Sequence, residues 1–195
     1  MFDISHLVPP RADGWGYLPN SQEIYNILHT IKDDLNPKQI LEIGFNAGHS
    51  STYLLDTYTD ATVTAIGPSP KGDNEKTLQQ KYGNRFVFLL GRTDEVYDQI
   101  VALEAAGQTS PYALQPHTFD FAFIDGHHNM PWVFWDVWFC TQHLHIPYIL
   151  MDNTDQPQVR EVAERIMCLR NVKDWEYFNT WKNVRKQNKL SLYKF

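Results

Sequence analysis

Short apolar runs alternate with amphipathic stretches along most of the chain, and glycine, proline, asparagine or aspartate marks nearly every joint. From Ser21, a residue suited to cap a helix, Ile24, Ile27, Leu28 and Ile31 recur at helical spacing as far as Asn36-Pro37. Strands are predicted at Gln39–Ile43, Thr62–Ile66, Arg85–Leu90, Phe119–Ile124 and Tyr148–Met151. Between and after them, helices are predicted over His49–Tyr58, Asn74–Tyr82, Glu95–Ala105, Pro131–His143 and Val159–Arg170. Trp175–Thr180 and Lys189–Phe195 read as two closing strands around a basic tip, Lys182–Lys189. Residues 1–20, with Pro9, Pro10, Gly14, Gly16 and Pro19 among aromatics, read as an irregular arm that packs by Trp15 and Tyr17 or folds over a site. The domain proper is expected to span 21–195, with a loop near 107–117.

Alternation of strand and helix implies right-handed crossovers, hence an α/β fold with a mostly parallel sheet covered by helices on both faces. Ligands of such sheets sit beyond the carboxyl ends of the strands. The suspicious polar groups collect there: Glu42 and Gly44 after the first strand, Gly67 after the second, Thr93 after the third, Asp125 and His128 after the fourth, Asp152 and Asn153 after the fifth.

Composition narrows the picture without changing it. At 195 residues the chain is most simply one domain large enough for a real core. A net charge of −6 argues against a nucleic-acid-coating surface. Cys140 and Cys168 lie in apolar helical patterns without metal-type spacing and read as buried free thiols. No basic-then-apolar leader opens the sequence, and no run approaches the roughly 18 apolar residues that span a bilayer. A cytoplasmic location without membrane contact is expected.

The segment Glu42-Ile43-Gly44-Phe45-Asn46-Ala47-Gly48-His49-Ser50 has the chemistry of a nucleotide cradle. Its spacing is E-x-G-x-x-x-G, unlike either the dinucleotide fingerprint or the P-loop. Gly44 and Gly48 are expected to let the backbone approach a ligand, while the helix start and Ser50 offer donors to an anion.

These segments in order resemble the class I S-adenosylmethionine-dependent methyltransferases over about Ser21 to Phe195. Leu41 to Ser50 looks like that family's first motif. Phe119-Asp120-Phe121-Ala122-Phe123-Ile124-Asp125-Gly126-His127-His128 resembles the small O-methyltransferases with an F-D-x-x-F-I-D-G-x-H strand. Tyr148 to Thr154, ending Asp152-Asn153-Thr154, is similar to the D-N-T of cation-dependent catechol and caffeoyl-CoA type enzymes. The resemblance implies a Rossmann-like, doubly wound, seven-stranded sheet with an antiparallel C-terminal strand. It implies S-adenosylmethionine held by Glu42, Gly44, Phe45, Asn46, Gly48, Ser50, Gly67, Thr93 and Asp125, with Ser50 on the methionine carboxylate and Thr93 beside the adenine. Asp125, Asp152 and Asn153 would hold magnesium or another divalent cation, a hard all-oxygen set. With Asp125, His128 is expected to be catalytic: it stands where relatives have a lysine, and its imidazole is a competent base near neutral pH.

Two departures stand out. Ile66-Gly67-Pro68 replaces the family's I-D-P, whose acid grips the ribose, so restoring an acid at Gly67 is expected to tighten cofactor binding. Gly91-Arg92-Thr93 replaces G-D-S.

Structural readings compete at several positions. Asp125 and Asp152-Asn153 could simply cap turns, and His128 could be a surface residue. His127, His143 and His145 read as neighbours or structural groups. Trp132, Trp135 and Trp138 suggest core or subunit interface, hence a possible homodimer, with substrate stacking the alternative. The leading function is metal-assisted O-methylation of a hydroxyl on a small molecule or sugar. A methyltransferase-like binding domain and a metal-dependent hydrolase are the alternatives.

Overall fold

Helix α1 (Gln22–Leu35) turns Ile24, Ile27, Leu28 and Ile31 inward. Ser21 caps it, its hydroxyl accepting the Ile24 amide, and Asn36 closes it in the left-handed region at φ 42°. In this computed structural model, residues 1–7, 21–108, 114–169 and 190–194 are described. Most of the expected arm, including Trp15 and Tyr17, lies outside them, as do residues 109–113, the strand Trp175–Thr180 and the whole of the basic tip Lys182–Lys189. The side chain of Cys168 lies outside them too.

The strands are β1 (Gln39–Ile43), β2 (Thr62–Gly67), β3 (Phe86–Leu90), β4 (Phe121–Ile124), β5 (Tyr148–Met151) and β6 (Ser191–Lys194). Their order is β3-β2-β1-β4-β5-β6, parallel throughout except for antiparallel β6 against β5. Six strands are thus present among the described residues, and the seventh predicted one falls outside them.

The remaining helices are α2 (His49–Thr57), α3 (Asn74–Tyr82), α4 (Thr93–Ala105), α5 (Trp132–Trp138) and α6 (Pro157–Leu169). Period-two alternation sends successive strand side chains to opposite faces. Ile40, Phe121 and Phe123 join the core under α1, α2 and α3, whereas Leu41, Ala122 and Ile124 join the one under α4, α5 and α6. Truncating a buried phenylalanine such as Phe123 to alanine would cost about 3–5 kcal/mol. No described helix is long and apolar enough to cross a membrane.

Two boundaries differ from the sequence reading for visible reasons. Helix α4 starts at Thr93 rather than Glu95, because the Glu95 carboxylate reaches back to accept the Arg92 amide at 2.8 Å. The helix expected over Pro131–His143 is α-helical only to Trp138; Phe139–His143 widens into a π turn, with the Leu144 amide donating to the Phe139 carbonyl.

After β1 the chain builds outward to β3, then crosses back to lay β4 on the other side of β1. Beyond the carboxyl ends of β1 and β4 lies the point where strand order reverses, the usual ligand crevice of a doubly wound sheet.

Candidate active site

The glycines of the first turn are dictated by the protein's own backbone. Gly44 has φ 114°, and a Cβ there would overlap the Asp125 carbonyl and stand 2.8 Å from the Gly126 nitrogen. Gly48 has φ 77°, and its Cβ would stand 2.7 Å from Leu78 Cδ1. At Gly67 a Cβ would overlap the Phe45 carbonyl and stand 2.9 Å from the Phe45 Cβ. The sequence reading gave Gly44 and Gly48 room for a ligand, but the close neighbours are Asp125, Gly126, Leu78 and Phe45. The expectation for an acid at Gly67 meets the same obstacle. Gly44 and Phe45 both donate their amides to the Ile66 carbonyl, which pins the loop across the end of β2.

Phe45 contributes backbone only, since its ring is buried against Phe86 and Phe88. Asn46 is half-buried, and its carbonyl accepts the Lys71 amide at 2.8 Å. Ser50 was expected to hold a carboxylate of the cofactor. Its hydroxyl instead donates to Glu42 Oε1, and Ser51 donates to Oε2. Glu42 is completely buried between them, so it braces the turn from beneath. Burial pushes its carboxyl up to about 7, the two serine hydrogen bonds pull it down, and the nearby Asp125 charge adds to the rise.

On the other side of the reversal point, Asp125 follows β4 and Asp152 follows β5, each anchored by its amide to the neighbouring strand: Asp125 N to Ile43 O at 2.8 Å, Asp152 N to Ile124 O at 2.9 Å. The Asp152 carboxyl is near enough to Asp125 to act on its proton. Burial raises the Asp125 carboxyl above its ordinary value, with His128 and Asp152 opposing. The His128 Nε2 stands 3.4 Å from Asp125 Oδ1 and 3.2 Å from the Asn153 amide nitrogen. Asp125 beside it raises the imidazole above its usual value. Asn153 sits at φ 55°, a conformation asparagine tolerates, and its own amide donates to Asp152 Oδ1 at 2.7 Å.

Two carboxylates and a carboxamide at one rim suit a hard cation. Among the described residues no three His, Cys, Asp or Glu side chains gather as a metal-holding group, so such a seat needs the Asn153 oxygen. That oxygen accepts from Gln156 Nε2 at 3.4 Å, and a half-turn of the amide would bring it toward His128 and the rim.

Beside the first turn, between the carboxyl ends of β1, β2 and β3 and helix α5, is a small half-open hollow of about 50 Å³. Ile43 and Ile66 line one side; Arg92, Trp132 and Trp135 line another. The Arg92 guanidinium lies 4.6 Å from the Trp132 ring centre and pairs with Asp94 and Glu95. Thr93, expected beside an adenine, is buried at the hollow with its hydroxyl donating to Asp136 Oδ1. Asp136 is not among the residues expected at the site from sequence. It is 6% exposed, and burial pushes its carboxyl up to about 7. A lone carboxyl on the inward side of so apolar a helix was the available signal, because such a group must have a partner. His127 borders the hollow and is exposed.

Comparison with known proteins gives this geometry its class. Residues 41–153, more than half of the chain, match the family described as Methyltransferase domain. Solved structures share the fold. An S-adenosylhomocysteine-bound methyltransferase of Podospora anserina, PaMTH1, aligns with TM-score 0.61 at 17% identity over 80% of this chain and 73% of its own. An O-methyltransferase from Bacillus cereus in complex with S-adenosylhomocysteine aligns at 0.56, with 16% identity over 82% of this chain and 73% of its own. TomG, an O-methyltransferase of Streptomyces achromogenes involved in tomaymycin synthesis and bound to S-adenosylmethionine, aligns at 0.52, with 21% identity over 80% and 72%. No curated protein sequence matches. The chain belongs to the Methyltransferase domain family and has the class I S-adenosylmethionine-dependent methyltransferase fold.

Proposed function

We propose that this protein transfers the methyl group of S-adenosylmethionine to a hydroxyl oxygen of a small molecule or sugar, assisted by a divalent cation. One observation carries the reading: Gly44 of the first turn rests directly on the Asp125 backbone, while the Asp125 side chain meets Asp152 and His128. A cofactor cradle and an acid–base rim thus share one edge of the sheet.

The cofactor would lie along Gly44–Gly48 with its base in the hollow at Thr93, and would supply an electrophilic methyl. Asp125, Asp152 and Asn153 are the residues suited to hold the cation, which would orient the acceptor hydroxyl and lower its pKa. The acceptor proton goes to His128 Nε2. With the Asn153 amide turned to give its oxygen to the cation, Nε2 of the neutral ring is open to the acceptor hydroxyl; once protonated it donates to Asp125 Oδ1, and that carboxylate stabilises the imidazolium. Trp132 and Arg92, the guanidinium 4.6 Å from the ring centre, line the hollow where the base would sit.

Calorimetry with S-adenosylmethionine, followed by methyl transfer to a panel of hydroxyl compounds with magnesium or with EDTA, tests the whole reading. Tight binding with turnover that EDTA abolishes supports it; turnover indifferent to EDTA removes the cation.

A second reading is a methyltransferase-like binding domain without turnover. The blocked position at Gly67 favours it, because no acid there can grip the ribose. Cofactor binding without transfer to any acceptor would select it.

A further inference from the structure

The hollow beside Thr93 has the makings of a slot for a flat ring. Its walls are aliphatic, Ile43 and Ile66, and aromatic, Trp132 and Trp135. Among the described residues two carboxyls border it: that of Asp136, which is buried, and that of Asp94, which is half-buried and paired with Arg92. Thr93 occupies a single lone-pair position on Asp136 Oδ1, and Oδ2 lies so close to the Gly126 backbone that a Cβ at 126 would overlap it. A carboxylate has about four acceptor positions, so capacity for a ligand donor remains. An apolar slot with one embedded acceptor selects planar heterocycles that carry an N–H donor at the matching edge.

We propose that Asp136 is the specificity-determining residue for the base of the cofactor, accepting a hydrogen bond from the exocyclic amine of an aminopurine seated in this hollow. This rests on the cofactor reading above and extends it. The residue comes from α5, far in sequence from the first turn, and neither the G-x-x-x-G segment nor the Gly91-Arg92-Thr93 turn includes it. Arg92 is committed to Asp94 and Glu95 and brings no acceptor of its own. The groups that act on the Asp136 charge are Asp94 of α4, the His128 imidazole and the Thr93 hydroxyl. Above about pH 7 the carboxyl is ionised and is an acceptor only. It then repels a purine with a 6-oxo group in place of the amine. Asparagine offers an acceptor and a donor at the same place, so it can keep the Thr93 bond and serve either base.

The test compares S-adenosylhomocysteine with S-inosylhomocysteine by calorimetry at pH 8, in the natural protein and in Asp136→Asn. The natural protein is expected to favour the adenosyl form by about 10- to 100-fold, the size of one charge-assisted hydrogen bond. In Asp136→Asn that preference is expected to fall at least about tenfold, because the charged acceptor is lost for the amine and the amide can donate to the 6-oxo group. If both nucleosides bind and their ratio is the same in the two proteins, Asp136 only ties α4 to α5 and the inference is overturned. If the natural protein binds neither, the cofactor reading fails first and takes this one with it.

Discussion

A Cβ at position 67 would overlap the carbonyl oxygen of Phe45 and stand 2.9 Å from the Phe45 Cβ. The glycine at the end of β2 is therefore a packing requirement of this chain, and an acid cannot simply be put back there. Gly67→Asp is expected to destabilise the fold by about 1–3 kcal/mol, as overpacking does, and to leave cofactor affinity no better. Thermal melting and calorimetry on the variant check both parts. A tighter, undiminished protein would mean that the Phe45 loop yields freely.

Asp152 stands against Asp125 at the rim and outside the first turn. Asp152→Ala is expected to abolish cation-stimulated turnover while cofactor binding stays within a few-fold. Initial rates across a magnesium titration, alongside calorimetry, separate the two effects. Unchanged activity would remove the cation from the mechanism.

For His128, substitution by alanine is expected to lower kcat about 10²–10⁴-fold at pH 7, the usual contribution of a general base. The cofactor dissociation constant should hardly move. Recovery of rate on adding free imidazole would assign the loss to proton transfer; equal loss in both constants would make the residue a support for the rim.

The buried Glu42 carboxyl makes stability depend on pH. Its folded value is about 7 against an ordinary 4.5, so the folded protein holds a proton that the unfolded chain releases. The contribution is complete below pH 4.5 and is lost as pH rises through about 7. A shift of that size corresponds to roughly 3 kcal/mol. In Glu42→Gln the decline in melting temperature between pH 5 and 8 is expected to be shallower. Some decline should remain, because Asp136 has a raised value of the same sign. Superimposable melting profiles for the two proteins would assign the pH dependence elsewhere.

Local patterning carried most of the architecture. Asn74–Tyr82 and Tyr148–Met151 fall where periodicity puts them, because one face of each element must meet a core. The π turn after Trp138 had no such signature, since an apolar helix reads alike at either pitch. At the site, Asp125, His128, Asp152 and Asn153 were legible as strand-end residues. Their mutual contacts are tertiary and were not. The glycines were recognisable too, but their neighbours, Phe45 and Asp125 among them, belong to packing that spacing does not encode. Asp136 was hidden for a related reason: its partner Thr93 lies on another helix, in a different part of the sequence.

Where Gly44 rests on the Asp125 carbonyl, no side chain lies between the first turn and the tip of the fourth strand to cushion a shift. Displacement of one is passed on as a push against the other. Groups delivered from opposite sides of the seam therefore hold their spacing as a single mechanical piece.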